Sequence, residues 1–115
     1  MSYPLVTVVL ANWNRTDDTL ECLESLTQQS YPNIRLLVVD NASTDGAPKK
    51  IEQRFPQVEQ VLNPENLGFT GGYNAGMRVA LLGGADFVFV LNNDTILAPD
   101  AIEQLVRASD RKSVV

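Results

Sequence analysis

The stretch FVFVLNNDTIL, residues 87–97, decides the fold. Five apolar residues run straight into Asn92, Asn93 and Asp94, and the chain returns at once to apolar Ile96 and Leu97. A buried strand that ends on three small polar side chains has two explanations. One is a turn, because Asn and Asp hydrogen-bond their own backbone and tolerate left-handed geometry. The other is a ligand site, because open α/β sheets bind small molecules just beyond the carboxyl ends of their strands.

Working outward, three more apolar runs precede this one. LVTVVLA (5–11), IRLLVV (34–39), VEQVL (58–62) and FVFVL (87–91) read as strands, three of them nearly continuous in apolar residues, as expected of parallel strands covered on both faces. Between them lie helical patterns. The first begins near Thr16, whose hydroxyl is placed to cap it, with Asp17 and Asp18 at the positive end of the dipole and Leu20, Cys22, Leu23 and Leu26 on its apolar side. A weaker helix spans 47–55, with Pro48 tolerated in its first turn. A third spans 70–82, with Tyr73, Met77, Ala80 and Leu81 on one face and Gly83 closing it. The last starts at Pro99 or Asp100 and carries Ile102, Leu105 and Val106. Strand and helix alternate four times, which predicts an α/β fold with a mostly parallel sheet, right-handed crossovers and helices on both faces.

That order places every polar cluster on one edge of the sheet. NWNRTDD follows the first strand, DNASTDG the second, NPENLGFTGG the third and NNDT the fourth. A turn explains any one of them, and four converging clusters favour a site. Asp40 directly follows a buried run, so its carboxylate suits a base N–H or a ribose hydroxyl, or an Asx-turn into the residues after it. The segment NLGFTGGYNAG has glycines at 68, 71, 72 and 76 around a helix start, which suits either backbone approach to an anion or tight helix–sheet packing. It matches neither the dinucleotide nor the Walker A spacing. Asp94 suits Mg²⁺ or Mn²⁺, which are held by one or two carboxylates plus diphosphate oxygens.

Composition bounds the partners. The 115 residues carry a net charge of −5 without a basic run, which argues against nucleic acid, and their apolar fraction of 44% supports one packed domain over 1–115. No apolar run approaches the roughly 20 residues of a transmembrane helix, and no signal-peptide pattern opens the chain. The single Cys22 excludes an internal disulfide. Sequons at Asn14, Asn41 and Asn93 fall in the loops that would border the site, where glycans would obstruct it, so a cytoplasmic location, or the cytoplasmic face of a membrane, is expected.

VTVVLANWNR, LLVVDNASTDG, NLGFTGGYNAGM and FVFVLNNDT, in this order and at these separations, resemble the nucleotide-sugar-binding half of the family 2 glycosyltransferases, which have the GT-A fold. The LNNDT form is similar to the rhamnosyltransferase-like branch. The resemblance runs from Leu5 to about Val106 and implies an inverting, metal-assisted transfer from a UDP- or dTDP-linked sugar to a glycan or lipid-linked acceptor in polysaccharide biosynthesis. It assigns the donor to Asn12, Asn14, Asp40, Asn66, Gly68, Asn74, Asn92 and Asn93, and Mn²⁺ or Mg²⁺ to Asp94. In the family a D-x-D motif closes the fourth strand, so Asn92 stands where an aspartate is common. An amide bonds a ribose hydroxyl but is a poorer metal ligand.

The family's catalytic base lies well after that motif, in an acceptor-binding half. Asp100, Glu103 and Asp110 are carboxylates of the tail, but Asp100 and Glu103 sit where a helix start and its exposed face place acids anyway. The base is expected beyond Val115, and the chain is expected to be part of a longer enzyme. The alternative is a non-catalytic nucleotide-binding or interaction module on the same sheet, for which Asp94 would have no purpose. A nucleotidyltransferase lacks its basic glycine-rich loop here. The GT-A arrangement that the resemblance implies sets the fourth strand beside the first and leaves its outer edge bare, so self-association through it is expected.

Overall fold

The computed structural model describes residues 3–110. Strand and helix alternate as β1 (Val6–Asn12), α1 (Thr16–Thr27), β2 (Ile34–Asn41), α2 (Ala47–Arg54), β3 (Glu59–Asn63), α3 (Gly68–Leu82), β4 (Phe87–Leu91) and α4 (Ala101–Asp110). All ladders are parallel, in the order β3-β2-β1-β4. Side chains that alternate along β1 divide the core in two. Val6, Val8 and Leu10 face Leu20, Cys22, Leu23 and Leu26 of α1, with Ile51 of α2 and Ile102 and Val106 of α4 in the same layer. Val9, with Leu37 and Val39 of β2, packs on Tyr73 and Ala80 of α3. The sheet therefore has helices on both faces, as the α/β reading requires.

The strands run further toward their carboxyl ends than their apolar runs. β1 continues through Asn12 and β2 through Asp40 and Asn41, because the ladder pairs Asn12 with Asp40 and Asn41 with Asn63. Polar side chains thus end the sheet as part of its regular pairing, and that fixes their positions.

Three local expectations change. Thr16 is the first residue of α1 rather than its cap: Arg15 holds the cap position without a side-chain bond, and the Thr16 hydroxyl donates to the Asp45 carboxylate. On α3 the buried face is Gly72, Tyr73, Gly76 and Ala80, and Leu81 stands 64% exposed. The helix has rolled onto its glycines. A Cβ at Gly76 would lie 2.4 Å from Val9 Cγ1 and 2.8 Å from Val39 Cγ2, so the close seating of α3 on the sheet depends on its absence. Packing accounts for Gly72 and Gly76, whereas Gly68, at φ +74, has no neighbour within 4 Å of such a Cβ. Finally, β4 is a half-buried edge strand rather than a buried one: Phe87, Phe89 and Leu91 pack on one core layer and Val88 on the other, but among the described residues it pairs with β1 alone, and Val90 is 42% exposed.

Candidate functional site

At the carboxyl edge, the segments that follow β1, β2 and β4 are tied by one largely buried polar network. Asn12, 1% exposed, donates from Nδ2 to Asp40 Oδ1 at 3.1 Å and to Ser43 Oγ at 3.2 Å. Its Oδ1 accepts from the Thr19 hydroxyl at 2.8 Å and from Asn93 Nδ2 at 3.4 Å. The Asn93 amide also donates to Thr19 Oγ1 at 3.1 Å. Asp40, 3% exposed, accepts further from the Ser43 hydroxyl at 2.7 Å and the Ser43 N–H at 2.9 Å. The carboxylate thus closes a local turn through the Ser43 N–H, three residues on rather than the two of an Asx-turn, and three donors occupy a group with about four acceptor sites. Asn14 locks the neighbouring loop: its N–H donates to Ser43 Oγ at 3.0 Å and its Oδ1 accepts from the Thr44 N–H at 2.7 Å, at a positive φ of 52 that Asn tolerates.

Beside this network opens a pocket of about 250 Å³. Asn92, Asn93 and Asp94 form one wall, Arg15 and Asp18 from the start of α1 another, and Phe69 and Tyr73 of α3 an aromatic side. The two rings meet edge to face with centroids 4.4 Å apart, and the Tyr73 hydroxyl donates to the Leu91 carbonyl, pinning α3 to the end of β4. Asp94 is exposed in this wall. Among the described residues no cluster of three His, Cys, Asp or Glu side chains forms a complete metal cage. Of these residues Asp94 would hold a hard cation, whose remaining ligands would come from phosphate oxygens and water. Arg15, 3.6 Å from Asp18, adds a cationic group on the same side. A larger cavity of about 590 Å³ lies along α1, with Asp17, Glu21 and Glu24 on its rim, but it lacks the residues of the network.

The strand ends thus bring Asn12, Asp40 and Asn93 into direct contact and set Asn92 and Asp94 beside them. Asn14 stands one loop away through Ser43. Asn66 caps the turn into α3, its Oδ1 accepting from the Gly68 N–H at 2.8 Å, and both are exposed. Asn74 is exposed on α3 and joins neither the network nor the pocket wall. Thr19, Ser43, Arg15, Asp18, Phe69 and Tyr73 were not assigned from the sequence. Arg15 and Asp18 lie within the NWNRTDD cluster and Phe69 and Tyr73 within NLGFTGGYNAG, so proximity to the assigned residues is a usable signal for all four, although which face of α3 meets the pocket is fixed only by its packing. Glu103 bonds Ser30 and Arg107, each at 3.4 Å, a structural use of that carboxylate.

Electrostatics follow from this placement. Burial pushes the Cys22 thiol up to about 11, with the Thr95 N–H opposing and the Asp94 carboxylate adding to the rise. Burial likewise raises Tyr73, opposed by the Ala11 backbone and reinforced by Cys22 and Asp94. For Asp45, burial acts upward, but hydrogen bonds from the Thr16 hydroxyl and N–H and from the Ala47 N–H together hold it below its ordinary range.

Comparison with known proteins bears on the same residues. EpsH of Bacillus subtilis is 30% identical over 122 residues, covering 100% of this chain and 33% of its own length. The N-acetylglucosaminyl-diphospho-decaprenol L-rhamnosyltransferase of Mycobacterium tuberculosis is 32% identical over 77% of this chain and 32% of its own. A mannosyltransferase of Pyrobaculum calidifontis, solved with GDP-Man and Mn²⁺, superposes with a TM-score of 0.74 at 27% identity over 94% of this chain and 32% of that one. The chain therefore spans about a third of the length of these relatives. The family described as Glycosyl transferase family 2 matches residues 7–115, nearly the whole sequence. This chain belongs to glycosyl transferase family 2 and carries the GT-A fold.

Proposed function

We propose that this chain is the donor-binding part of a glycosyltransferase that moves a sugar from a UDP- or dTDP-linked donor to a glycan or lipid-linked acceptor with inversion at the anomeric carbon. The observation that carries the reading is the single network joining Asp40, Asn12 and Asn93 beside the pocket that Asp94, Arg15 and Asp18 line. The remaining acceptor site of Asp40 takes a base N–H, and Asn12, Asn14 and Asn66 at the strand ends and loops, with Gly68 and Asn74 on the first turns of α3, border the nucleoside and sugar. Asn92 and Asn93 bond ribose or diphosphate oxygens, and Asp94 holds Mn²⁺ or Mg²⁺. The cation, when bound, neutralises the charge that builds on the departing diphosphate. Arg15 supplies a second positive group to the same oxygens.

Transfer also needs an acceptor hydroxyl in line with the anomeric carbon and a carboxylate within about 3 Å to take its proton. We place both in a further part of a longer enzyme, so that residues 1–115 alone bind donor and transfer nothing. A cytoplasmic site of action fits Asn41, a sequon residue whose buried amide donates to the Gly68 carbonyl at 3.2 Å and has no room for a glycan. No described helix is long and apolar enough to cross a membrane. Alone, the chain covers the bare edge of β4 with a second copy, which light scattering reads as a dimer or larger species.

The test of the reading is a thermal-shift panel with Mn²⁺ and UDP, dTDP or GDP. A ligand at about 100 times its Kd stabilises the folded state by about 2.7 kcal/mol. UDP or dTDP should raise the melting temperature, and more with the cation present than without it. Stabilisation by GDP alone would reassign the donor, and none by any nucleotide would sink the reading.

A further inference from the structure

We propose that Thr19 is a positioning residue that couples cation binding at the turn of Asn92, Asn93 and Asp94 to nucleotide binding at the Asn12–Asp40 pair, an inference that rests on the function proposed above. Thr19 is fully buried, on the first turns of α1, and its side chain lies where the ends of β1 and β4 meet. In a helix a threonine hydroxyl commonly bonds a carbonyl of the preceding turn. Here it leaves its own helix. It donates to Asn12 Oδ1 at 2.8 Å and accepts from Asn93 Nδ2 at 3.1 Å, while the direct Asn93 to Asn12 bond is longer, at 3.4 Å.

The direction of each bond follows from that geometry. Asn12 uses both hydrogens of its amide nitrogen on Asp40 and Ser43, so its oxygen faces α1, and the Thr19 proton must point at it. The Thr19 lone pairs are then free to fix Asn93, whose neighbour in sequence is Asp94. Side-chain contact between the metal-facing turn and the nucleoside-facing strand ends therefore runs through one hydroxyl and one weaker bond. Removing the hydroxyl lets the Asn93 amide swing while Asn12 and Asp40 stay paired. The cation then has to order the Asp94 turn at its own expense, and by linkage the nucleotide gains less from the cation.

Thr19→Val keeps the side-chain shape without the hydroxyl, Thr19→Ser keeps the hydroxyl, and Thr19→Ala makes room for a bridging water should the valine variant not fold. Titration calorimetry of UDP with and without Mn²⁺ on the full chain gives the Mn²⁺ enhancement of affinity as a ratio, which uniform destabilisation does not move. The expected result is about a tenfold smaller ratio in Thr19→Val, a smaller loss in Thr19→Ala, and retention in Thr19→Ser, any fall in the metal-free affinity being smaller than the fall in affinity with Mn²⁺. A ligand-free readout is amide exchange at Thr95, whose N–H bonds the Asn92 carbonyl at 3.1 Å: it should quicken several-fold in the valine variant and not in the serine one. An unchanged ratio in folded Thr19→Val or Thr19→Ala, or equal losses in Ser and Val, would overturn the coupling role alone. Wild-type protein that binds no UDP with Mn²⁺ would overturn the proposed function and this role with it.

Discussion

Asn12 and Asp40 form the last rung of the β1–β2 ladder and are joined across it by a 3.1 Å hydrogen bond, both side chains buried. A carboxylate in that position is as much a structural element as a ligand group. Asp40→Ala would strand the Asn12 amide and the Ser43 N–H and hydroxyl, and losing bonds to a charged group costs about 1.5–3 kcal/mol. A urea unfolding curve should show a lower midpoint with an unchanged slope. A loss below about 0.5 kcal/mol would mean that water replaces the carboxylate without penalty.

Gly76 is where α3 touches the sheet. Gly76→Ala puts a methyl 2.4 Å from Val9 Cγ1, and overpacking of this kind costs typically about 1–3 kcal/mol. Gly68→Ala is the contrasting variant, because its cost comes only from the positive φ of 74 and should be about 1 kcal/mol. Thermal melts of the two variants separate packing from backbone strain, and a Gly76→Ala variant as stable as wild type would refute the close seating of α3.

Cys22 reports on the packing of α1 against the loop after β4. With its pKa pushed to about 11 by burial, the thiolate fraction at pH 8 is on the order of one in a thousand, and the thiol is enclosed. Iodoacetamide should label native protein far more slowly than protein in concentrated urea. Comparable rates would show that this face opens freely.

Asp45 ties the start of α1 to the loop after β2. Its folded pKa is lowered, so the ionised carboxylate contributes stability that is fully present above the ordinary value of 3.8 and is lost as pH falls below it. Asp45→Asn should narrow the difference between melting temperatures at pH 6 and pH 3, as measured by circular dichroism. An unchanged difference would place the acid sensitivity elsewhere.

Much of this architecture was legible because apolar runs and polar clusters alternate so regularly: Asn12, Asp40 and Asn93 each end such a run, and parallel pairing alone brings them to one edge. What escaped depended on partners distant in sequence. The Thr16 hydroxyl looked like a cap because nothing local indicates that Asp45 will take it. Leu81 looked buried because helical periodicity cannot register that Gly72 and Gly76 draw a different face onto β1 and β2. Thr19 carries no local signal of a role, and only the meeting of the β1 and β4 ends with α1 gives its hydroxyl two partners. Phe69 and Tyr73 entered the pocket wall only once α3 had been placed.

The most direct test of the central claim, that a nucleoside diphosphate and a divalent cation bind together at the carboxyl edge of β4, is calorimetric titration of UDP into wild-type and Asp94→Asn protein, each with and without Mn²⁺. Asp94 is exposed and joins no buried network, so the variant should fold normally. Mn²⁺ should strengthen UDP binding by about tenfold or more in the wild type, an energy of about 1.4 kcal/mol or above. In Asp94→Asn that gain should vanish while the metal-free affinity stays the same. Equal Mn²⁺ enhancement in both proteins would contradict the account.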